Sequence, residues 1–393
     1  MSIKVIEHKN DELYLEFENI DSSLVNALRR TILSDCETVA FNTDEYLNSD
    51  LKILKNTSSL HNEFILHRVG LIPINIKNII NFYSSKYKFI LNKSNTTNNI
   101  ISVTTEDFKI INTETNKEEP SIHFFPQNNI TKEYIQILKL KPNPNSKGEE
   151  IHIEGKASKS SGSKNARFSP VSCVYYKNKI DKEKLQKALK DFVRTKKNME
   201  KKEIETISKR FIIEESERHF YTDENDEPNI FEFYIESVGV VSPELILIES
   251  IVILINKLTK LKNNINKIVN ENVSLDNINI QTSLETMQAY TITIQNESHT
   301  LGNLLQSYIS KVNNDTINFV GYKNPHPLKN MIEIKLSPKI YSLDEANIIF
   351  STTCDHVIDI LQTYKEYIYK YFKLNPSITI KNKSSKKVKE SDD

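Results

Sequence analysis

Phe17-Glu-Asn-Ile-Asp-Ser-Ser-Leu-Val-Asn-Ala-Leu-Arg-Arg30 and Ile294-Gln-Asn-Glu-Ser-His-Thr-Leu-Gly-Asn-Leu-Leu305 are two versions of one pattern. Laid over each other without gaps, Phe17 falls on Ile294, Asn19 on Asn296, Leu24 on Leu301, Asn26 on Asn303 and Leu28 on Leu305. A run of alternating character leads into each: Glu12-Leu-Tyr-Leu-Glu-Phe-Glu-Asn19 and Thr291-Ile-Thr-Ile-Gln295. Period-two alternation predicts a strand with one buried face. The residues that follow predict a helix. Leu24, Leu28 and Ile32 stand four apart, as do Leu301, Leu305 and Ile309, so each set shares one helix face. Asp21 or Ser22 can cap the first helix.

Each unit is completed further along. Phe231-Glu-Phe-Tyr-Ile-Glu236 and Ile332-Glu-Ile-Lys-Leu336 are alternating strands. Ser242-Pro243-Glu244 starts a helix with a capping serine, a proline in the first helical position and an acid in the first turn. Ile246, Ile251, Val252, Ile255 and Leu258 make that helix strongly apolar. Ser342-Leu-Asp-Glu345 is a capping box opening another, with Ala346, Phe350, Val357, Leu361, Tyr364 and Ile368 on one side. The fold class is α+β: two copies of a half-module of antiparallel sheet and long helices, related by a pseudo-twofold, the first copy interrupted by a mainly β insert. Each copy alone leaves apolar surface open, and packing the copies through their helices covers it. Leu24, Leu28, Ile32, Leu301, Leu305, Ile309, Val357 and Leu361 are the residues expected at that contact. The expected boundaries are 1–45 with 227–270 for the first module, 46–226 for the insert, an Asn-rich linker at 271–288, the second module at 289–372 and a disordered polar tail at 373–393.

Composition excludes several function classes. Lys plus Arg equals Asp plus Glu at 52 each, so no global field draws the chain to nucleic acid or membrane. Seven glycines form neither GxxxxGK[ST] nor GxGxxG, although Gly155 and Gly162 come closest to a phosphate-binding loop. Cys36, Cys173 and Cys354 are dispersed, which suits a reducing, intracellular compartment and provides no thiolate zinc site. Leu245 to Leu258, the most apolar run, is broken by Glu249 and is too short to span a bilayer. Two charged motifs remain. Arg29 and Arg30 sit beside and opposite the apolar face of the first helix, so one at least points away from the core. Glu63, His67 and Arg68 share helical spacing and can form a charged cluster, with His61 nearby. A structural hydrogen-bonded cluster is favoured there over acid–base chemistry or half a metal site, because no nucleophile or third ligand accompanies it.

Leu24 to Arg30 together with Glu63-Phe-Ile-Leu-His-Arg-Val-Gly-Leu-Ile-Pro73 closely resembles the signature of the RNA polymerase assembly subunit: the bacterial alpha N-terminal domain, the archaeal D subunit and the third subunit of eukaryotic polymerase II. Asn296 to Leu305, followed by Val320-Gly-Tyr-Lys-Asn-Pro-His-Pro327, looks like the smaller partner, the archaeal L subunit or eukaryotic eleventh subunit. Asn165-Ala-Arg-Phe-Ser-Pro170 and Phe233 to Leu258 resemble further stretches of the larger partner. The resemblance implies RNA polymerase alpha-like dimerisation modules fused in one chain, a non-catalytic scaffold that docks the two largest subunits of a DNA-directed RNA polymerase beside its small subunits. It implies docking through Arg29, Arg30, Glu63, His67 and Arg68, no catalytic residues, no cofactor and no metal. Contact with DNA or RNA comes only through the assembled complex, with no membrane and no homo-oligomer. Fused forms are familiar from large DNA viruses that transcribe in the cytoplasm, and the Asn/Lys/Ile-rich composition suits such a genome. Location is then the virion and host cytoplasm, or the nucleus for a cellular gene.

Two other functions compete with the scaffold. A free-standing nucleic-acid binder would use the charged segment Lys177 to Arg218 and the lysine-rich tail, but it lacks an aromatic-interleaved basic run. A hydrolase would use Glu63, His67 and His61, but it lacks a nucleophile. The related larger subunits often carry a zinc-binding cysteine loop in the insert, whereas residues 76–170 contain no cysteine. The purified chain is therefore expected to hold no stoichiometric zinc; elemental analysis finding one tightly bound zinc per chain would contradict this.

Overall fold

The computed structural model describes residues 2–44, 48–76, 82–143, 147–195, 201–271, 273–283 and 288–374. In chain order the elements begin with β1 (Ser2–Lys9), β2 (Glu12–Glu18), α1 (Ser22–Ser34), β3 (Glu37–Ala40), β4 (Leu51–Asn56) and α2 (Asn62–Gly70). Next come β5 (Tyr87–Ser94), β6 (Ile101–Thr104), β7 (Phe108–Asn112), β8 (Lys117–Glu119), β9 (Gln136–Leu140), β10 (Glu150–Gly155) and β11 (Ser158–Ser161). They are followed by β12 (Val171–Asn178), α3 (Lys182–Arg194), α4 (Lys201–Glu215), β13 (Ile230–Ser237) and α5 (Pro243–Glu271). The last are β14 (Ile278–Ser283), β15 (Ala289–Gln295), α6 (His299–Val312), β16 (Ile317–Lys323), β17 (Met331–Pro338) and α7 (Leu343–Phe372). The chain divides into two compact units. One holds Met1–Ala40, Gly70–Asn75 and Ser160–Tyr364; the other holds Phe41–Val69 and Ile76–Lys159, with Lys365–Asp393 grouped with it.

The first unit contains the repeat. Its two antiparallel sheets have strand orders β1-β2-β13-β12 and β14-β15-β17-β16, and each strand of one has its counterpart at the same place in the other. Phe17 pairs with Phe231 across β2 and β13, as Ile294 pairs with Ile332 across β15 and β17. Both last pairs carry a bulge at the start of the outer strand, between Val171 and Cys173 and between Ile317 and Phe319. Asn19 and Asn296 both turn into their helices with φ near the left-handed region, 54° and 60°, which asparagine tolerates better than most residues. Alternation buries Leu13, Leu15 and Phe17 of β2 with Phe231, Phe233 and Ile235 of β13. α5 packs on that face, and α1 packs against α5, α6 and β12. The Phe17 ring lies 5.6 Å from Phe233 and 5.5 Å from Tyr364 of α7, so an aromatic contact links the first sheet to the last helix.

The second unit is built mainly of strands. β4-β10-β5-β7-β8 form an antiparallel sheet, and β6 pairs with β9. Its core is aromatic: Phe41 meets Phe89 edge-on at 5.1 Å, and Phe108 lies 5.3 Å from Phe125. Gly155 is where two backbones approach, since a Cβ there would stand 2.1 Å from the Asp50 carbonyl oxygen. In the first unit, a Cβ on Gly162 would stand 2.0 Å from that of Leu33. Both glycines serve close packing.

The structure departs from the sequence expectation at two boundaries. The chain rejoins the first module's sheet at β12, ahead of the expected residue 227, because β12 pairs with β13; α3 and α4 then lie in the first unit. The expected linker at 271–288 contains β14, which pairs with β15 from Ile278 opposite Ile294 to Ser283 opposite Ala289. Its asparagines hid an edge strand whose alternation is weak. The expected N-terminal strand at Glu12 also has a neighbour that the charged run Ser2–Lys9 concealed. The expected tail lies outside the described residues from 375 onward. Phe17→Ala, which removes a ring from the centre of the first unit, is expected to destabilise that unit by about 3–5 kcal/mol. Chemical denaturation followed by near-ultraviolet dichroism would show the loss as a lowered midpoint.

Candidate functional site

The residues expected to join the two copies are all buried: Leu24, Leu28 and Ile32 on α1, Leu301, Leu305 and Ile309 on α6, and Val357 and Leu361 on α7. They lie in the same unit, and α1 packs against α6. Polar contacts at the helix ends give the direction. The Arg30 Nε donates to Thr300 Oγ1 at 2.7 Å, joining the late part of α1 to the start of α6. Lys311 at the end of α6 pairs with Asp21 Oδ2 at 2.5 Å, at the start of α1, and with Glu227 at 2.8 Å. The two helices are therefore antiparallel. Lys257 of α5 lies 2.9 Å from Asp35 and 3.2 Å from Glu297, in the turn before α6. Lys262 of α5 pairs with Asp355 of α7.

These ion pairs are partly desolvated. Burial alone would raise the Asp21 carboxyl, but Lys311 and the Ser23 hydrogen bonds outweigh it and hold the group below its ordinary value. Burial alone would lower Lys257, and the Glu297 and Asp35 carboxylates overcome it and raise the ammonium. For Glu297 burial prevails over Lys257, and its carboxyl is raised. Asp21, one of the two candidate caps with Ser22, is the one that accepts from the Ser23 amide, at 2.7 Å. Asp35, Lys257, Glu297 and Lys311 are not among the site residues expected from the sequence, although Lys257, on a helix otherwise rich in apolar residues, is a signal that a carboxylate lies nearby.

Arg29 and Arg30, half-buried on α1, follow different courses. The Arg29 Nε and Nη2 both donate to Asn26 Oδ1, at 3.1 and 2.9 Å, which lays its guanidinium along its own helix. Arg30 spends its Nε on Thr300 and is thus a tie between the copies as well as a candidate for outside contact. Glu63, His67 and Arg68 belong to the second unit. All three are exposed on α2, which buries Ile65, Leu66 and Val69 on its other side. The expected charged cluster is not formed: Arg68 donates instead to the carbonyl oxygens of Ile137 at 2.8 Å and Gln136 at 3.0 Å on β9. Phe64, 63% exposed, stands beside Glu63 and borders a shallow groove of about 680 Å³ with Asn56, Ser58, Leu60, His61, Asn62 and Glu63. Among the described residues no group of three or more His, Cys, Asp or Glu is placed to hold a metal ion, and no helix is long and apolar enough to cross a membrane. Burial raises the thiols of Cys36 and Cys354, the latter to about 12, so neither is a nucleophile at neutral pH.

Residues 14–258 match the family model of the RNA polymerase Rpb3/Rpb11 dimerisation domain, and residues 289–366 match a second model of the same description. The chain is similar to a conjugation stage-specific protein of Tetrahymena thermophila, 33% identical over 184 residues that cover 42% of this chain and 55% of that one. It is 28% identical over 189 residues to subunit 3 of the DNA-directed RNA polymerases II, IV and V of Arabidopsis thaliana, covering 44% of this chain and 56% of that protein. A probable DNA-directed RNA polymerase II subunit RPB11 of Plasmodium berghei (strain Anka) is 35% identical over 82 residues, 19% of this chain and 64% of that one. The chain thus spans less than two thirds of the length of each of these relatives.

The lowered Asp21 carboxyl has a consequence for stability. A depressed carboxylate contributes stability above its unfolded value, about 3.9, and loses it as pH falls through the folded value. Asp21→Asn is therefore expected to lower the urea midpoint at pH 7, with the gap from the parent closing as the pH drops below about 4. A gap that stays constant with pH would contradict the pairing with Lys311.

Proposed function

This chain belongs to the family of the RNA polymerase Rpb3/Rpb11 dimerisation domain, and from that premise we propose that it is a non-catalytic assembly subunit of a multisubunit DNA-directed RNA polymerase. Its two modules act as an intramolecular heterodimer that docks the two large catalytic subunits, with small polymerase subunits as further neighbours. The observation that carries this reading is the antiparallel packing of α1 against α6 with both apolar faces buried. Each such side chain contributes about 1.5–3 kcal/mol on burial, enough in sum for a permanent, core-like contact. One chain then presents what separate subunits would otherwise assemble, and the tether guarantees equal numbers of the two halves.

Docking rests on two surfaces in this reading: Arg29 and Arg30 on α1, and Glu63, His67 and Arg68 on α2. Arg29 keeps guanidinium N–H groups beyond those given to Asn26, a fork suited to carboxylates or backbone carbonyls. The exposed Phe64 gives the α2 surface an apolar anchor among polar residues, the composition usual at the centre of an interface. Template and transcript are met only through the assembled enzyme. The fusion and the Asn/Lys/Ile-rich composition support a viral gene working in the virion and host cytoplasm; a cellular gene would place the chain in the nucleus.

Arg29→Ala with Arg30→Ala is expected to leave the chain folded and to weaken capture of the second-largest subunit by about 2–5 kcal/mol. Thr300→Ala, which removes the partner of Arg30 within the chain together with a hydroxyl contact from Ser298, should leave capture near normal. Reconstitution at limiting subunit concentration measures both, and a normal complex yield from the double variant would count against this docking surface.

A further inference from the structure

The repeat makes it possible to ask which contacts across the pseudo-twofold have a symmetric copy. β2 and α1 align in sequence with β15 and α6 without gaps, so Asp21 corresponds to Ser298, Ser34 to Lys311, Asp35 to Val312 and Ile20 to Glu297. The buried positions of α5 and α7 match with Leu254 on Val357, Leu258 on Leu361 and Leu261 on Tyr364, which sets Lys257 on Ile360. The copy of the Asp21–Lys311 ion pair is thus Ser298 with Ser34. The copy of the Lys257–Asp35–Glu297 cluster is Ile360, Val312 and Ile20, with Ile360 and Ile20 buried. One side of the pseudo-twofold is ionic where the other is apolar or neutral.

We propose that this asymmetry selects unlike pairing: Lys257 with Glu297, and Asp21 with Lys311, make the first module pair with the second and disfavour either module pairing with its own kind in another copy of the chain. The inference rests on the intramolecular heterodimer proposed above and names the residues that enforce it. In a like pair of second modules, Glu297 would be buried against Ile360 and Val312 with no cation, and Lys311 would face Ser298. In a like pair of first modules, Lys257 would keep Asp35 but meet Ile20 in place of Glu297, and Asp21 would face Ser34. These groups are partly buried, and a partly desolvated charge that loses its partner is unfavourable, whereas the pair itself adds little over a well-packed apolar contact. That difference is the mark of a specificity device, and repulsive arrangements against wrong partners are how interfaces achieve it. The danger is real for this fold, because both modules present the same apolar helix face and two chains could otherwise cross-pair into open oligomers.

The test uses the full chain with a specific protease site in the loop 274–277, between α5 and β14, cut after folding. Parent pieces are expected to co-elute as one unlike pair at low micromolar concentration; separate elution would overturn the heterodimer reading itself, independently of the charges. Two symmetrising variants then address the selectivity. Lys257→Ile with Asp35→Val and Glu297→Ile gives the ionic side the character of its apolar copy. Asp21→Ser with Lys311→Ser, nearer the surface, reproduces the neutral copy and leaves the core untouched, so folding is preserved. After cutting and equilibration, native mass spectrometry counts unlike and like pairs. The combined variant is expected to raise the like-with-like fraction about tenfold over the parent, since a partly desolvated ion left unmatched in each like pair carries a ratio of that order. The surface variant alone should raise it less. An unchanged exclusive unlike pair in every variant would overturn the assignment and leave the ion pairs as ordinary surface contacts.

Discussion

α1 and α6 lie antiparallel, each with an apolar stripe that its own four-stranded sheet cannot cover, and each supplies the cover for the other. Leu24, Leu28 and Ile32 on one, and Leu301, Leu305 and Ile309 on the other, are buried as a result. A half-module of this kind, one sheet face plus helices, is too thin to enclose a core alone. The rest follows from that constraint. The long helices α5 and α7 extend the buried region, and Tyr364 of α7 reaches Phe17 to join the last helix to the first sheet through aromatic contact. The material between α1 and β12 can be long and can form a unit with its own aromatic core, because it interrupts the first module at a connection and leaves its sheet intact.

Apolar and ionic contacts divide the work at this junction. Burial of aliphatic side chains supplies the stability, with no direction and no preference for one partner over a similar one. Direction comes from polar ends: Asp21 with Lys311 at one end of the helix pair and Arg30 with Thr300 towards the other. At Glu297 burial raises the carboxyl in spite of Lys257. A helix pair made only of leucine and isoleucine would be as stable and far less selective.

Much of this architecture was legible in the residues. The repeat showed itself through Asn19 and Asn296, Leu24 and Leu301, Asn26 and Asn303, because the same backbone turn and the same helix face need the same residue types. The strands at Glu12 and Phe231 were plain from alternation, and the start of α5 from Ser242 and Pro243. What stayed hidden shared one cause: signals that local pattern does not carry. β14 is an edge strand among asparagines, and only its pairing with β15 identifies it. β12 belongs to a sheet assembled from residues far apart in sequence, so its membership cannot be read from its neighbours. Of the candidate site, helical spacing put Glu63, His67 and Arg68 near one another as a charged cluster, and the actual partner of Arg68 was missed because a backbone carbonyl has no sequence signature. The ion pairs through Lys257 and Lys311 join residues of different copies and become visible only once the copies are packed.

The central claim is that one chain does the work of a two-subunit polymerase scaffold. Affinity purification of the tagged full chain from cells that produce it, followed by assay of the eluate for template-dependent RNA synthesis, tests that claim most directly. The account expects two large polypeptides to co-purify in equal amounts with the chain, with RNA synthesis in the eluate and no separate assembly subunit of this family beside them. Recovery of the chain alone, or with partners that do not synthesise RNA, would contradict it.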